Sequence, residues 1–163
     1  VALSTLSKME LAQVSVSYEK LAAAARALGV DIAQLFSPAP NLIQTRSAQV
    51  QPTVVSTTIA DAPGYSTGNY DYHPMAGDFP GRSMTPMYAR IFARELQQFE
   101  DYIRHPGQEF ALVLSGRVRI QFETGEAVSI GPQETAYFNS SIGHIYLAEG
   151  DEDAEVMVVM SER

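Results

Sequence analysis

Residues 105–116, HPGQEFALVLSG, are the most informative part of this sequence about its fold. The dipeptide Pro106-Gly107 is typical of a turn, and the apolar run that begins after Glu109 is typical of a short β-strand. Gly116 follows the run, where it predicts a turn into the next strand. An imidazole and a carboxylate therefore lie together at the start of one predicted strand.

Similar short runs extend over most of the chain on both sides of this stretch. They are separated by glycine and proline residues, as in proteins built from antiparallel strands. Many short strands at such spacing predict a mainly β fold, a sandwich or barrel, over residues 52–163. We predict strands at residues 53–59, 84–93, 109–114, 117–123, 127–130, 135–138, 144–148 and 155–160.

The spacing of particular residues in this region resembles that of the cupin superfamily. The first cupin motif has a His, three or four residues, a Glu, six residues and a Gly, and His105, Glu109 and Gly116 follow it. The second motif resembles residues 131–144, which end at His144. The resemblance covers about residues 52–160. It implies a jelly-roll barrel, also called a double-stranded β-helix, in which His105, Glu109 and His144 point inward.

One position departs from the cupin pattern. The family's first motif begins with a second His, and Ile103 stands in its place. The resemblance therefore implies an incomplete metal site of His105, Glu109 and His144. Two His and one carboxylate are still a known ligand set that leaves positions open at the metal. We accordingly expect at most one divalent transition metal, Zn, Fe or Ni.

Simpler interpretations of the same residues remain open at this point. His105 is also compatible with a surface turn, and Glu109 with an ion pair to Arg104 or Arg117. His144 is compatible with a hydrogen-bonded core histidine. Three residue types that match the family spacing favour a pocket over these alternatives. The remaining histidine, His73, lies among residues typical of a turn.

Aromatic residues occur in nearly every predicted strand, and most of them are expected in the core. A cupin barrel leaves a cavity near its mouth, where polar groups orient a small ligand. We predict Tyr88, Arg90 and Tyr137 as ligand-binding residues there.

The first 36 residues differ from the rest, because they lack proline and have helical periodicity. Two helices and a short third one are predicted, the second ending at Gly29. Residues 37–51 are polar and proline-containing, as in a linker. The segments LSTLSKME, SVSYEKL and LGVDIAQLF resemble the last three helices of a Cro/repressor-type (XRE) helix-turn-helix domain. By that resemblance Ser4, Thr5 and Lys8 are candidate DNA contacts on the recognition helix.

The chain begins at Val1, inside the predicted recognition helix. We therefore expect a fragment that lacks the first two helices of the DNA-binding domain and binds DNA weakly by itself. Alternatively, residues 1–36 pack on the barrel or on a partner chain. Their charged residues sum to zero, so the net charge of −8 does not lie in this part.

Composition excludes several classes of protein. The net charge of −8 argues against a broad basic surface for nucleic acids. No apolar run approaches the roughly 20 residues of a membrane span, and no signal peptide is recognisable. Cysteine is absent, which excludes a disulfide framework. A cytoplasmic protein without membrane contact is expected.

The order of parts resembles bacterial XRE regulators that carry a C-terminal cupin sensor. That resemblance implies a small-molecule effector, DNA as partner of the full-length protein, and a homodimer. The segment after Pro52 is a candidate edge strand for pairing between subunits. The alternative is a mononuclear non-haem iron oxygenase or epoxidase that joins a helix-turn-helix-like domain to a cupin. An inert storage-type barrel fits the helical segment less well.

Overall fold

A computed structural model describes Ser7, Leu11, residues 18–30, Leu35 and residues 52–161. Helix α1 spans Tyr18–Leu28 and ends at Gly29, whose φ of +67° is the left-handed conformation that stops a helix. This confirms the predicted end of the second helix. The predicted DNA contacts Ser4, Thr5 and Lys8 lie outside the described residues, as does the 37–51 linker. No described helix is long and apolar enough to cross a membrane.

The described residues after 52 form two antiparallel sheets, which confirms the mainly β prediction. The larger sheet has the strand order β1-β2-β3-β9-β4-β7, and the smaller has the order β6-β5-β8. A 3-10 helix, Leu96–Gln98, lies between β3 and β4. The strands are β1 Tyr65–Ser66, β2 Tyr70–Pro74, β3 Met84–Ile91, β4 Gln108–Ser115, β5 Val118–Phe122, β6 Ala127–Ile130, β7 Thr135–Asn139, β8 His144–Ala148 and β9 Ala154–Ser161.

The core is built from the faces of strands of both sheets. Successive side chains of a strand point to opposite faces, so every second residue of β9 is buried. Both sheets contribute to one cluster of buried apolar residues. Gly116, between β4 and β5, has a φ of +71°, as its predicted role in a turn requires.

The structure differs from the prediction between residues 52 and 74. Residues 53–59 form no strand, and Val54 is 77% exposed. The strand lies at Tyr70–Pro74 instead, in a segment that we interpreted as a turn. Tyr70 and Tyr72 alternate into the core, and Pro74 ends the strand, where proline is tolerated. The segment after Pro52 is therefore not the edge strand on which we based dimerisation.

Candidate metal centre

Three segments bring the candidate ligands together. His105 precedes β4, Glu109 is the second residue of β4, and His144 begins β8 in the other sheet. A pair of backbone hydrogen bonds joins Ile103 to His144, with N···O distances of 3.1 and 2.9 Å. The chain before β4 is thereby held beside the start of β8, so residues 35 or more apart in sequence converge.

The three ligating atoms face one another in the interior. His105 Nε2 lies 2.8 Å from Glu109 Oε2, and His144 Nε2 lies 3.6 Å from the same oxygen. One ligating atom from each residue lies within 4.8 Å of the others. Glu109 and His144 are buried, with 3% and 1% of their surface exposed. The structure thus brings together the three residues that the sequence predicted as metal ligands.

The His144 ring is oriented by its other nitrogen. Nδ1 lies 2.9 Å from the carbonyl oxygen of Ile142, and since a carbonyl can only accept, Nδ1 donates this bond. The ring also packs edge-on against Phe138, with centroids 4.9 Å apart. Nε2 therefore points at Glu109, and a backbone carbonyl supports the imidazole as in many metal sites.

Glu109 is ionised despite its burial. Burial is the largest effect and raises the pKa of the carboxyl, but hydrogen bonds from His105 and His144 and their charges lower the pKa to about 2. Its second oxygen, Oε1, accepts a hydrogen bond from the Tyr146 hydroxyl at 2.5 Å. Burial, followed by the Glu109 charge, raises the pKa of Tyr146, so this hydroxyl keeps its proton.

The turn before β4 requires glycine. Gly107 has a φ of +94°, and a Cβ at this position would lie 1.9 Å from the carbonyl oxygen of Ser161. Any larger residue would push the His105 segment away from β9. The Pro106-Gly107 turn thus positions His105 rather than exposing it at the surface.

A small cavity of about 40 Å³ adjoins the three ligands. This volume holds a metal ion with a small ligand or a few water molecules. Ile103 lines it, so the residue that replaces the missing cupin His faces the same space as the triad. Among the described residues, no Lys or Arg lines the cavity. The lining residues are Tyr70, Tyr72, Met87, Ala89, Ile91, Ile103, His105, Glu109, His144, Tyr146, Val156, Val158 and Met160.

The three residues predicted to bind a ligand lie outside this cavity. Tyr88 and Arg90 alternate with the cavity-lining residues of β3 and therefore point to the outer face of the sheet. Arg90 pairs there with Asp153 at 2.8 Å. Tyr137 in β7 is 66% exposed and bonds to Gln108. A ligand in the cavity contacts none of these three side chains directly.

Sequence reasoning missed the tyrosines of the cavity wall. Tyr146 lies two residues after His144 in the same strand, so it points to the same face, and this spacing was a usable signal. Tyr70 and Tyr72 were missed because their strand was taken for a turn.

The alternative ion pairs are also resolved. Arg104 pairs with Glu123 at 2.5 Å and Arg117 with Glu149 at 3.4 Å. Neither of these arginine ion pairs involves Glu109.

The donor set fits a divalent transition metal. Two imidazole nitrogens and one carboxylate oxygen suit Fe, Zn or Ni, and three protein ligands leave positions open for other molecules. His105, Glu109 and His144 would hold such an ion. The same Nε2 atoms now face the carboxylate oxygen at hydrogen-bond or ion-pair distance.

Comparison with known proteins assigns the fold. Residues 97–160 match the cupin domain family. No curated protein sequence matches the chain. Among solved structures, hydroxypropylphosphonic acid epoxidase from S. wedmorenis is 19% identical with a TM-score of 0.59, over 88% of this chain and 74% of that one. Fe(II) HppE is 18% identical with a TM-score of 0.59, over 89% and 76%.

A further similar structure is the cupin domain of an XRE family transcriptional regulator from Enterobacter cloacae. It is 15% identical with a TM-score of 0.48, over 58% of this chain and 98% of that domain. At these identities the likeness to the epoxidase shows a shared fold alone, and the likeness to the regulator domain is weaker. The chain thus contains a cupin domain, a mostly β jelly-roll of antiparallel sheets with His105, Glu109 and His144 in its interior.

Proposed function

We propose that this chain is a ligand-responsive transcriptional regulator whose cupin barrel binds a small molecule at a metal centre. The observation that carries the proposal is the convergence of His105, Glu109 and His144 within 4.8 Å beside a small cavity. A buried carboxylate between two imidazoles costs desolvation energy, and function is a common reason for retaining such a group.

The residues define what the site would take. When bound, a divalent metal acts as a Lewis acid with open positions for an oxygen or nitrogen donor. Ile103 and the other apolar lining residues offer neither a charge nor a hydrogen bond to a ligand. Because no described lining residue is Lys or Arg, we propose a small uncharged effector with one donor atom.

The DNA-binding part rests on residues 1–36. Their resemblance to an XRE helix-turn-helix domain supports Ser4, Thr5 and Lys8 as contacts of a recognition helix. In a homodimer, ligand binding would shift the spacing of two such helices and so their fit to two half-sites. The size of that shift is limited by the difference in ligand affinity between the two states.

The test is the effect of the metal on DNA affinity. Full-length protein, with and without chelator, would be titrated with Zn, Fe or Ni and assayed by gel shift on genomic fragments. We expect DNA affinity to change with metal in the wild type and not in His144→Ala. The regulator proposal fails if the protein binds DNA equally in all these states, or never.

A second candidate is a mononuclear iron oxygenase or epoxidase. It is favoured by the two-His, one-carboxylate set, which is typical of non-haem iron oxygenases, and by the fold shared with an epoxidase over 88% of the chain. The absence of described Lys and Arg side chains from the cavity argues against an anionic phosphonate as substrate.

Metal content and oxygen uptake separate the two candidates. Near-stoichiometric iron in freshly purified protein, with substrate-dependent oxygen uptake that is lost in His144→Ala, would support the enzyme. Metal-dependent DNA binding without oxygen uptake would support the regulator.

A further inference from the structure

The two oxygens of Glu109 face different partners. Oε2 faces both imidazoles, 2.8 Å from His105 Nε2 and 3.6 Å from His144 Nε2. Oε1 is turned to the other side and accepts the Tyr146 hydroxyl at 2.5 Å. A carboxylate ligates a metal through one oxygen or through both, so a neighbour that occupies one oxygen affects the coordination number.

Tyr146 is itself firmly placed. The residue is 6% exposed, and its backbone N–H and carbonyl both bond to one hydroxyl, that of Tyr70. Tyr70 donates to the Tyr146 carbonyl at 2.8 Å and accepts from the Tyr146 N–H at 3.0 Å. Tyr70 is 2% exposed and belongs to β2, so it ties the larger sheet to β8 at this residue. This arrangement limits the freedom of the Tyr146 hydroxyl relative to Glu109.

We propose that Tyr146 is a positioning residue that reserves Oε1 of Glu109, so that Glu109 binds the metal through Oε2 alone. This inference rests on the proposed metal site and specifies its coordination. A one-oxygen Glu109 leaves one more position open for an effector or substrate than a two-oxygen Glu109. Ile103 also leaves a coordination position open, because it supplies no ligand where other cupins have a histidine.

The geometry of this contact supports the role. The Tyr146 hydroxyl donates to a carboxylate oxygen at 2.5 Å, and both residues are buried. A hydrogen bond to a carboxylate is stronger than one between neutral groups.

The experiment is a comparison of Co(II) absorption spectra. Co(II) replaces the metal in wild-type protein and in Tyr146→Phe, and the d–d bands are recorded with the bound Co(II) per chain. These bands weaken as the coordination number rises. We expect Tyr146→Phe to bind Co(II) with weaker d–d bands, because Oε1 without its donor turns to the metal.

A matched control is Tyr88→Phe. It also removes a hydroxyl that bonds a carboxylate, that of Glu155, but on the outer face of the sheet. Its Co(II) spectrum should equal that of the wild type. A merely structural role for Tyr146 predicts the same, unchanged spectrum for both variants.

Each outcome decides the proposal. Equal spectra of wild type and Tyr146→Phe at equal Co(II) content overturn the Tyr146 inference and leave the metal site intact. A wild type that binds no Co(II) overturns both the inference and the metal site. If Tyr146→Phe does not fold, a crystal structure of the metal-loaded wild type decides instead. The inference requires Oε2 at bonding distance from the metal and Oε1 still on Tyr146.

Discussion

Two chain segments, residues 104–105 and 143–144, contact two carboxylates. Glu123 lies on the outside of the barrel and Glu109 on the inside. Glu123 bonds to Arg104 at 2.5 Å and to the N–H of Gly143 at 2.7 Å. The next residue in each segment, His105 and His144, faces Glu109 instead. Consecutive residues point to opposite faces, so one pair of segments builds both an outer cluster around Glu123 and an inner cluster around Glu109.

The close approach of these segments depends on Gly143. A Cβ at this position would lie 2.7 Å from Cβ of Tyr102 and 2.9 Å from the Glu123 carboxyl carbon. Glycine therefore permits the outer cluster, and it leaves His144 free to turn inward.

The two carboxylates also differ in their exposure to solvent. Glu123 is exposed to solvent, and its pKa is lowered by its bond to Arg104 and then by that to Gly143. The Glu109 pKa is lowered against the effect of burial. Exposed ion pairs contribute little and are screened by salt, whereas a buried charge must be compensated by its neighbours. We therefore expect function to depend on the inner cluster alone.

The largest effect on metal binding is expected for Glu109→Gln. It keeps the shape of the side chain but removes the charge, so we expect metal binding to fall by more than the roughly 100-fold that loss of a supporting partner costs. Titration calorimetry with Zn measures the effect. The control is Glu123→Gln, which makes the same chemical change in the outer cluster and should bind Zn like the wild type. If both variants lost Zn affinity equally, the two carboxylates would not differ in function.

Acid stability of the metal-free protein gives the next largest effect. The Glu109 pKa lies at about 2 in the folded chain, below its usual 4.5, so its stabilisation is complete above pH 4.5 and is lost as pH falls towards 2. The shift corresponds to about 3 kcal/mol.

Denaturant unfolding from pH 6 to 2 measures this loss of stability. Glu109→Gln has no carboxyl to protonate at this position, so its stability should fall less than that of the wild type as the pH decreases. If the variant and the wild type lose stability in parallel over this window, Glu109 is not the group responsible.

Ile103→His tests the site around Glu109 in the opposite direction, by adding a possible metal ligand. Ile103 lines the cavity and is bonded through its backbone to His144, so an imidazole there would face the same space as the three ligands. We expect Zn affinity to rise by at least the roughly 10-fold that a partner supporting a ligand contributes, because an added ligand would bind the metal directly. Competition with a chelator measures the gain, and an unchanged affinity would show that position 103 does not reach the metal.

The smallest effect is expected for Arg104→Ala in the outer cluster. Arg104 bonds to Glu123 and Asp101 at the surface, so its loss should reduce stability only slightly, and salt should remove the difference. Thermal unfolding at low and high salt measures this. A loss of Zn binding in this variant would show that the two clusters are coupled.

Much of the fold was predictable because it follows from local patterns. The strand at residues 155–160, the turn at Gly116 and the end of α1 at Gly29 were predicted correctly from residue types. The strand at Tyr70–Pro74 was not, because Pro74 and the polar residues around it are typical of a turn. Tyr70 and Tyr72 point into the core because the segment pairs with β3. Such pairing with another strand is not visible in a local pattern.

The candidate site shows the same division. His105, Glu109 and His144 were predicted from spacing and resemblance, whereas Tyr88, Arg90 and Tyr137 were chosen by residue type without knowledge of which face they occupy. Register decides that face, since a shift by one residue turns every side chain of a strand over.

Residue types and their spacing were enough to predict two imidazoles and a carboxylate near turns, and a series of short strands. The contact of Tyr146 with Oε1 of Glu109 and the position of Ile103 at the cavity became visible only in the folded chain. Such contacts join strands far apart in the chain, and their geometry depends on how the two sheets pack together.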